Sequence, residues 1–197
     1  MLIAARSLRQ LFPCFILMIG VLCLALFEPK SSELLAFDRV ALQQGQWWRW
    51  ITGHWVHLNL KHALLNLGGL GLIALIFIQE LEWLPDTLAF FACCILVSAG
   101  LWWFSDRDVY VGLSGVLHGL MIYYLIRTYS VTPKISLLGL FGVSAKVLWE
   151  QTRWSDTAST ALLIGGPVAV EAHLFGLCAG IFVGLLSCWF RPLSSSL

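Results

Sequence analysis

Five uncharged, strongly apolar runs occupy much of this 197-residue chain. Each run is close to the roughly 17 to 25 residues that an α-helix needs to span the hydrocarbon core of a bilayer. A backbone in lipid has to satisfy its own hydrogen bonds, so runs of this kind are predicted to be helices. The runs are Leu11 to Phe27, Ala63 to Ile78, Thr87 to Ser105, Val109 to Ile126 and Ala172 to Phe190.

A sixth apolar segment lies between Lys134 and Glu150, where Lys146 interrupts the run. We predict a helix here too, because a lysine can extend its ammonium group to the membrane interface. Apolar residues make up 59% of the chain, charged residues 12%, and the mean hydropathy is +0.83. We therefore predict an all-α membrane protein with six transmembrane helices, forming a single polytopic domain over residues 1–197. The first helix is predicted to be retained rather than removed as a signal peptide.

The charge pattern bears on partners and orientation. A formal net charge of +1 without a dense basic cluster excludes a typical nucleic-acid-binding protein and leaves the lipid bilayer as the implied partner. Basic residues are balanced between the two sides of a six-helix topology. Arg6 and Arg9 precede the first run, and they favour a cytoplasmic N-terminus.

A few polar residues interrupt the apolar runs, and each is a candidate for function because burying it in lipid is costly. His62 and Asn66 are four residues apart, which places them on one face of the second helix, and Ser114 and His118 repeat this spacing on the fourth. His173 lies near the start of the sixth. Because alternate helices enter the membrane from the same side, these groups are predicted to meet at similar depth.

The residue types indicate nucleophilic chemistry. A serine hydroxyl needs a base to accept its proton, and neutral histidine is the usual base, so Ser114 and His173 are the predicted pair. Gly112 and Gly115 flank the serine and leave room for a substrate backbone. Gly176 and its neighbour one turn later, Gly180, give the sixth helix a small-residue face, which is predicted to pack on the fourth helix.

Attack on a peptide bond creates an oxyanion, which needs hydrogen-bond donors in place. The backbone N–H of Ser114, the amide of Asn66 and a ring N–H of His62 are suitable. We expect no carboxylate to orient His173, because Glu171 would point about 200° away around the helix. The prediction is therefore a Ser/His dyad.

No cofactor or metal is predicted, since the chain has no His-Glu-x-x-His motif. Two alternatives stay open. A small transporter would also place histidines within helices, and a catalytically inactive protein of the same shape would bind membrane clients without cleaving them.

One ordered set of motifs runs along the chain: Trp48-Arg49, His57 through His62 to Asn66, Gly112-Leu113-Ser114-Gly115, and Ala172-His173 with Gly176 and Gly180. This set closely resembles the rhomboid family of intramembrane serine proteases. The resemblance implies that Ser114 is the nucleophile, that His173 is the base, and that His62 and Asn66 stabilise the oxyanion. His118 stands where many bacterial rhomboids have a tyrosine packed on the catalytic histidine, which implies a supporting role.

The compact form and the segment His57-Leu58-Asn59-Leu60-Lys61-His62 look most like the rhombosortase branch. That likeness implies a bacterial inner-membrane enzyme whose active site faces the periplasm. Its substrates would be membrane-anchored exported proteins with C-terminal sorting tails of the Gly-Gly type. The oligomeric state is not indicated.

Overall fold

The computed structural model describes residues 2–190, so Met1 and residues 191–197 of the predicted domain lie outside the described part. Six long helices and four short ones are described, with one small β-ladder. In chain order the elements are α1 (Leu2–Ala25), α2 (Lys30–Leu35), β1 (Phe37–Asp38), α3 (Arg39–Gln43), α4 (Arg49–Thr52), α5 (Leu60–Ile76), α6 (Trp83–Phe104), β2 (Val109–Tyr110), α7 (Ser114–Arg127), α8 (Pro133–Glu150), α9 (Ala158–Ile164) and α10 (Val170–Phe190).

Each predicted apolar run corresponds to one long helix, namely α1, α5, α6, α7, α8 and α10 in turn. Two segments of described helix, Trp83–Phe104 and Val170–Trp189, are by length and hydropathy sufficient to cross a membrane. Gln10–Ala25 and Leu60–Ile76 are shorter apolar helices. The predicted all-helical class is confirmed, and the number of membrane crossings stays a prediction.

The fourth apolar run is helical from Ser114 and not from Val109, as its hydropathy predicted. Val109 and Tyr110 instead pair antiparallel with Asp38 and Phe37. Gly112 follows with a φ of +123°, a conformation that side-chain-bearing residues rarely adopt. The helix can therefore begin only after this glycine.

The long connection after α1 is folded and is anchored by two arginines. Arg49 is buried and donates hydrogen bonds to the carbonyl oxygens of Ala36 and Glu33, at 2.7 and 2.9 Å. Arg39 donates to the carbonyl oxygens of Leu101 and Trp102, at 2.7 and 2.8 Å. Because the last carbonyls of a helix lack partners within it, Arg39 caps the C-terminal end of α6.

Helix α7 lies at the centre of the bundle and packs most closely on α10. A Cβ at Gly176 would collide with the carbonyl oxygen of Gly115, and one at Gly180 would collide with that of Gly119. A Cβ at Gly115 would lie 2.7 Å from the carbonyl oxygen of Ala172. The predicted packing of the small-residue face is confirmed.

The other end of α7 is held by an ion cluster. Arg127 is the last residue of this helix and is buried. Its guanidinium group donates to Asp86 at 3.1 Å and also to Glu82. The two carboxylates lie at the start of α6, so the cluster ties the beginning of one helix to the end of the next.

We expect Gly176→Ala to destabilise the protein and Gly142→Ala not to. Both glycines are inside helices, so either change gains about 1 kcal/mol of helix propensity. Gly142 has no heavy atom within 4 Å of the added carbon, whereas the carbon at Gly176 meets backbone of α7. The strain of such overpacking is about 1–3 kcal/mol.

Melting temperatures of both variants in detergent measure the difference. We expect a lower value than wild type for Gly176→Ala and an equal or higher value for Gly142→Ala. Equal melting temperatures for the two variants would contradict the close packing of α7 on α10.

Candidate active site

Ser114 is the first residue of α7, and the turn at Gly112 directs it toward α10. Its Oγ lies 3.0 Å from Nε2 of His173, which is in the first turn of α10. The partial positive charge of a helix N-terminus surrounds the serine and favours negative charge nearby. A hydroxyl and an imidazole 59 residues apart in sequence thus share a hydrogen bond.

His173 is buried, and its second ring nitrogen also has a partner. Nδ1 lies 2.9 Å from Oε2 of Glu150. A carboxylate accepts hydrogen bonds, so Nδ1 carries the proton and Nε2 is left to accept from the Ser114 hydroxyl. The expectation that no carboxylate orients His173 is wrong.

Glu150 was not predicted, because the prediction used only the helices that start on the same side as α7 and α10. Helix α8 ends at Glu150 on the same side, where α10 begins, since consecutive helices run in opposite directions. Extending the same argument to helix ends would have found both Glu150 and Lys146. Glu171, which was considered, forms an ion pair with Arg107 at 2.7 Å instead.

Lys146 joins this carboxylate to a second histidine. Its Nζ lies 2.9 Å from Oε1 of Glu150 and 2.9 Å from Nε2 of His118. His118 Nδ1 lies 2.8 Å from the carbonyl oxygen of Ser114 and must donate to it. His118 is therefore protonated on Nδ1 only, and Nε2 accepts from the ammonium group.

His118 also stacks on the candidate base. The ring centroids of His118 and His173 are 4.3 Å apart, and the ring planes are 25° from parallel. The family resemblance implied a supporting position for His118 beside the catalytic histidine. The structure places it there, with hydrogen bonds to α7 backbone and to α8.

One group of side chains has the donor types of a metal site. The ligand atoms of His118, Glu150 and His173 lie within 4.8 Å of one another. The ammonium group of Lys146 contacts two members of this trio and supplies a cation at that point. That the protein needs no metal stays a prediction.

His62 and Asn66 are on the buried face of α5, beside the serine. The backbone N–H of Leu58 donates to Nδ1 of His62 at 3.4 Å, so the ring proton is on Nε2. This nitrogen points to Gly112, where an added Cβ would lie 3.0 Å from it. Asn66 donates one amide hydrogen to the His62 carbonyl oxygen at 3.2 Å and has a second to offer.

Gly115 does not have the position that the sequence predicted for it. It faces the carbonyl oxygen of Ala172 on α10 and not the substrate space. A glycine next to the nucleophile is thus used for helix packing. Gly112, by contrast, forms the positive-φ turn before Ser114 and leaves space for the His62 ring.

A cavity of about 510 Å³ opens above the serine. Ile164 at the end of α9 lines one wall, and the side chain of Asn59 donates to its carbonyl oxygen at 2.7 Å. This volume is sufficient for an extended peptide segment. The cavity is lined by Ser114, His57, His62, Tyr110, Pro167 and Ala169, among others.

His54 and His57 precede α5 and are fully buried. Burial lowers the pKa of His54 to about 4. Burial, together with the neighbouring His62, lowers the pKa of His57 to about 3. His54 Nε2 lies 3.0 Å from both the Cys94 carbonyl oxygen and Ser98 Oγ, so this ring joins the segment before α5 to α6.

Comparison of the sequence with known proteins identifies a family and several relatives. Residues 44–190 match the Rhomboid domain family. The chain is 29% identical over 190 residues to the Bacillus subtilis protein named "Putative rhomboid protease YdcA", covering 92% of each chain. It is 28% identical over 197 residues to the rhomboid protease GlpG of Yersinia enterocolitica and 28% identical over 203 residues to that of Yersinia pestis. The chain spans 65% of the length of either GlpG protein.

The two buried histidines should make stability fall in acid. In the unfolded chain a histidine has a pKa of about 6.5, so below that pH the unfolded chain binds protons that the folded rings do not. Stability is therefore greatest above about pH 6.5 and decreases as the pH falls toward about 4. At about pH 5 we expect each ring to lower the free energy of unfolding by about 2 kcal/mol relative to neutral pH.

Melting temperatures in detergent at several pH values between 4 and 8 measure this slope. The variant His57→Leu removes one of the two groups, so its melting temperature should change less with pH than that of wild type. Parallel pH dependences in the two proteins would rule out His57 as a source of acid instability.

Proposed function

Since the chain belongs to the rhomboid family of intramembrane serine proteases, we propose that it hydrolyses peptide bonds of membrane-anchored proteins with Ser114 as nucleophile and His173 as general base. The observation that carries this assignment is the 3.0 Å hydrogen bond from Ser114 Oγ to His173 Nε2. A buried histidine with a lone pair facing a serine hydroxyl is the arrangement that activates the serine.

The reaction is a two-step acyl transfer. Ser114 Oγ attacks the peptide carbonyl carbon while its proton passes to His173 Nε2. The tetrahedral intermediate then breaks the C–N bond, and the leaving amine takes the proton from Nε2. Water attacks the resulting ester and gives a proton to Nε2, after which the acid product leaves and the Ser114 hydroxyl is restored.

Three donor groups are available to stabilise the oxyanion. They are the backbone N–H of Ser114 in the first turn of α7, Nε2–H of His62, and the second amide hydrogen of Asn66. Donors held in place by a helix cost little reorganisation during the reaction. We assign oxyanion stabilisation to these groups.

Rhomboid proteins are integral membrane proteins, and we propose that all six long helices of this one cross the bilayer. Large apolar side chains point outward on α8 and α10, including Leu138, Phe141 and Trp189, which suits contact with lipid. Arg6 and Arg9 favour a cytoplasmic N-terminus. In a bacterial inner membrane the serine would then face the periplasm.

The proposed substrates are exported proteins that carry a C-terminal membrane tail of the Gly-Gly type. This part rests on the likeness of the segment from His57 to His62 to the rhombosortase branch. Glycine has low helix propensity, so a Gly-Gly segment next to a transmembrane helix unwinds readily and can enter the cavity extended.

A catalytically inactive client-binding protein is the second candidate, because it would keep the same bundle. The paired Ser114 and His173 favour the protease, since client binding alone needs no hydrogen bond between a buried base and a hydroxyl. A transporter would keep its flux after Ser114→Ala, whereas the protease would lose its activity.

We expect a fluorophosphonate probe to label purified wild-type protein in detergent and to label neither Ser114→Ala nor His173→Ala. The probe reacts only with an activated serine, so loss in both variants would show that the histidine activates it. Gel filtration and melting temperature verify that the variants are folded. Labelling that persists at full rate in folded His173→Ala would refute the assigned base.

Cleavage in proteoliposomes tests the substrate class. A reporter with a Gly-Gly membrane tail should be cut roughly tenfold or more faster than the same reporter with Val-Val at that point. Valine has a higher helix propensity than glycine, so it unwinds less readily, and its side chain fills more space. Ser114→Ala serves as the blank. Equal cleavage of both reporters would refute the Gly-Gly preference and leave the protease assignment intact.

A further inference from the structure

The carboxylate behind His173 extends the proposed catalytic pair. We propose that Glu150 is a positioning residue that completes a Ser114–His173–Glu150 triad, and that Lys146 tunes the charge of this carboxylate. The inference rests on the protease function proposed above. It differs from the dyad that the sequence predicted.

Glu150 uses both of its oxygen atoms within the site. Oε2 accepts from His173 Nδ1 at 2.9 Å, and Oε1 accepts from Lys146 Nζ at 2.9 Å. Its side chain is only 13% exposed, so the charge acts through little solvent. A carboxylate at Nδ1 selects the tautomer that leaves Nε2 free for Ser114, and it stabilises the imidazolium that forms during attack.

Lys146 weakens the electrostatic effect of Glu150 on His173. It places a positive charge next to Glu150 and so reduces the negative field at His173. Its hydrogen bond to His118 Nε2 also disfavours a proton on that nitrogen, so the ring stacked on His173 stays neutral. The side chain of Lys146 is 49% exposed, and its removal leaves no buried cavity.

Few other titratable groups face His173. From α7 these are Ser114 and His118, and from α5 His62. Glu171 on α10 is paired with Arg107 and is directed elsewhere. Among the residues that the structure describes, Glu150 and Lys146 are therefore the two formal charges that act most directly on the base.

The pH dependence of the fluorophosphonate labelling rate distinguishes positioning from mere support. The acidic limb of this profile reports protonation of the base. We expect Glu150→Gln to lower the maximal rate constant about 100-fold or more, because an amide no longer fixes the tautomer of His173; the same change in a Ser-His-Asp triad costs about 10⁴-fold. We also expect it to move the acidic limb about one pH unit lower, because the imidazolium has lost its counter-charge.

Lys146→Met should move the acidic limb in the opposite direction, about one pH unit higher. The double variant Glu150→Gln/Lys146→Met removes one charge of each sign, so its limb should return toward the wild-type position. Glu171→Gln is the matched control: it removes a carboxylate from the first turn of α10 that does not contact His173, and its limb should not move.

Opposite displacements in the two single variants support the triad. Limbs that stay in place, or that move in the same direction, overturn it. If Glu150→Gln fails to fold, Lys146→Met tests the proposal alone. An acidic limb at higher pH supports the proposal, and an unmoved limb overturns it. Failure of the protease assignment looks different, since labelling would then be independent of Ser114 or His173 in every background.

Discussion

The close approach of α7 and α10 is the constraint on which the rest of the structure depends. Two glycines on each helix place backbone against backbone, at Gly115 with Gly176 and at Gly119 with Gly180. The hydrophobic effect does not drive helices together in lipid as it does in water. Small residues that permit close van der Waals packing therefore contribute much of the stability of such helix pairs. Only at this separation do a serine on one helix and a histidine on the other share a hydrogen bond.

The beginning of α7 is as strictly determined as its packing. A two-residue β-ladder joins the connection after α1 to the strand before Gly112, and the left-handed turn at this glycine follows. Arg39 and Arg49 donate hydrogen bonds to backbone carbonyl oxygens and so keep that connection folded against the bundle. The connection after α1 is thus part of the frame that positions Ser114.

Much of this arrangement could be predicted from the sequence because membrane helices have a strong signal in length and hydropathy. The apolar runs predicted the six long helices, and the motifs predicted the rhomboid family, which is confirmed. The motifs also predicted that Ser114 and His173 meet, and their side chains lie 3.0 Å apart. The ladder at Val109 could not be predicted, since its residues are as apolar as those of a helix. Lys146 and Glu150 lie near the end of α8, and in the sequence such charges are typical of a membrane interface. Only the fold shows that Glu150 contacts both His173 and Lys146.

The length of α7 has a consequence for where chemistry can occur. Fourteen residues at 1.5 Å per residue give about 21 Å, and the hydrocarbon core is about 30 Å thick. In the proposed topology, with Arg127 at the inner boundary, Ser114 lies about 9 Å beneath the outer one. Catalysis in that topology takes place below the membrane surface, and water has to reach Ser114 through the cavity, whose lining includes His57, His62 and Arg107. A scissile bond has to reach the depth of Ser114 before it is cleaved, so substrates that cannot extend that far into the membrane are excluded.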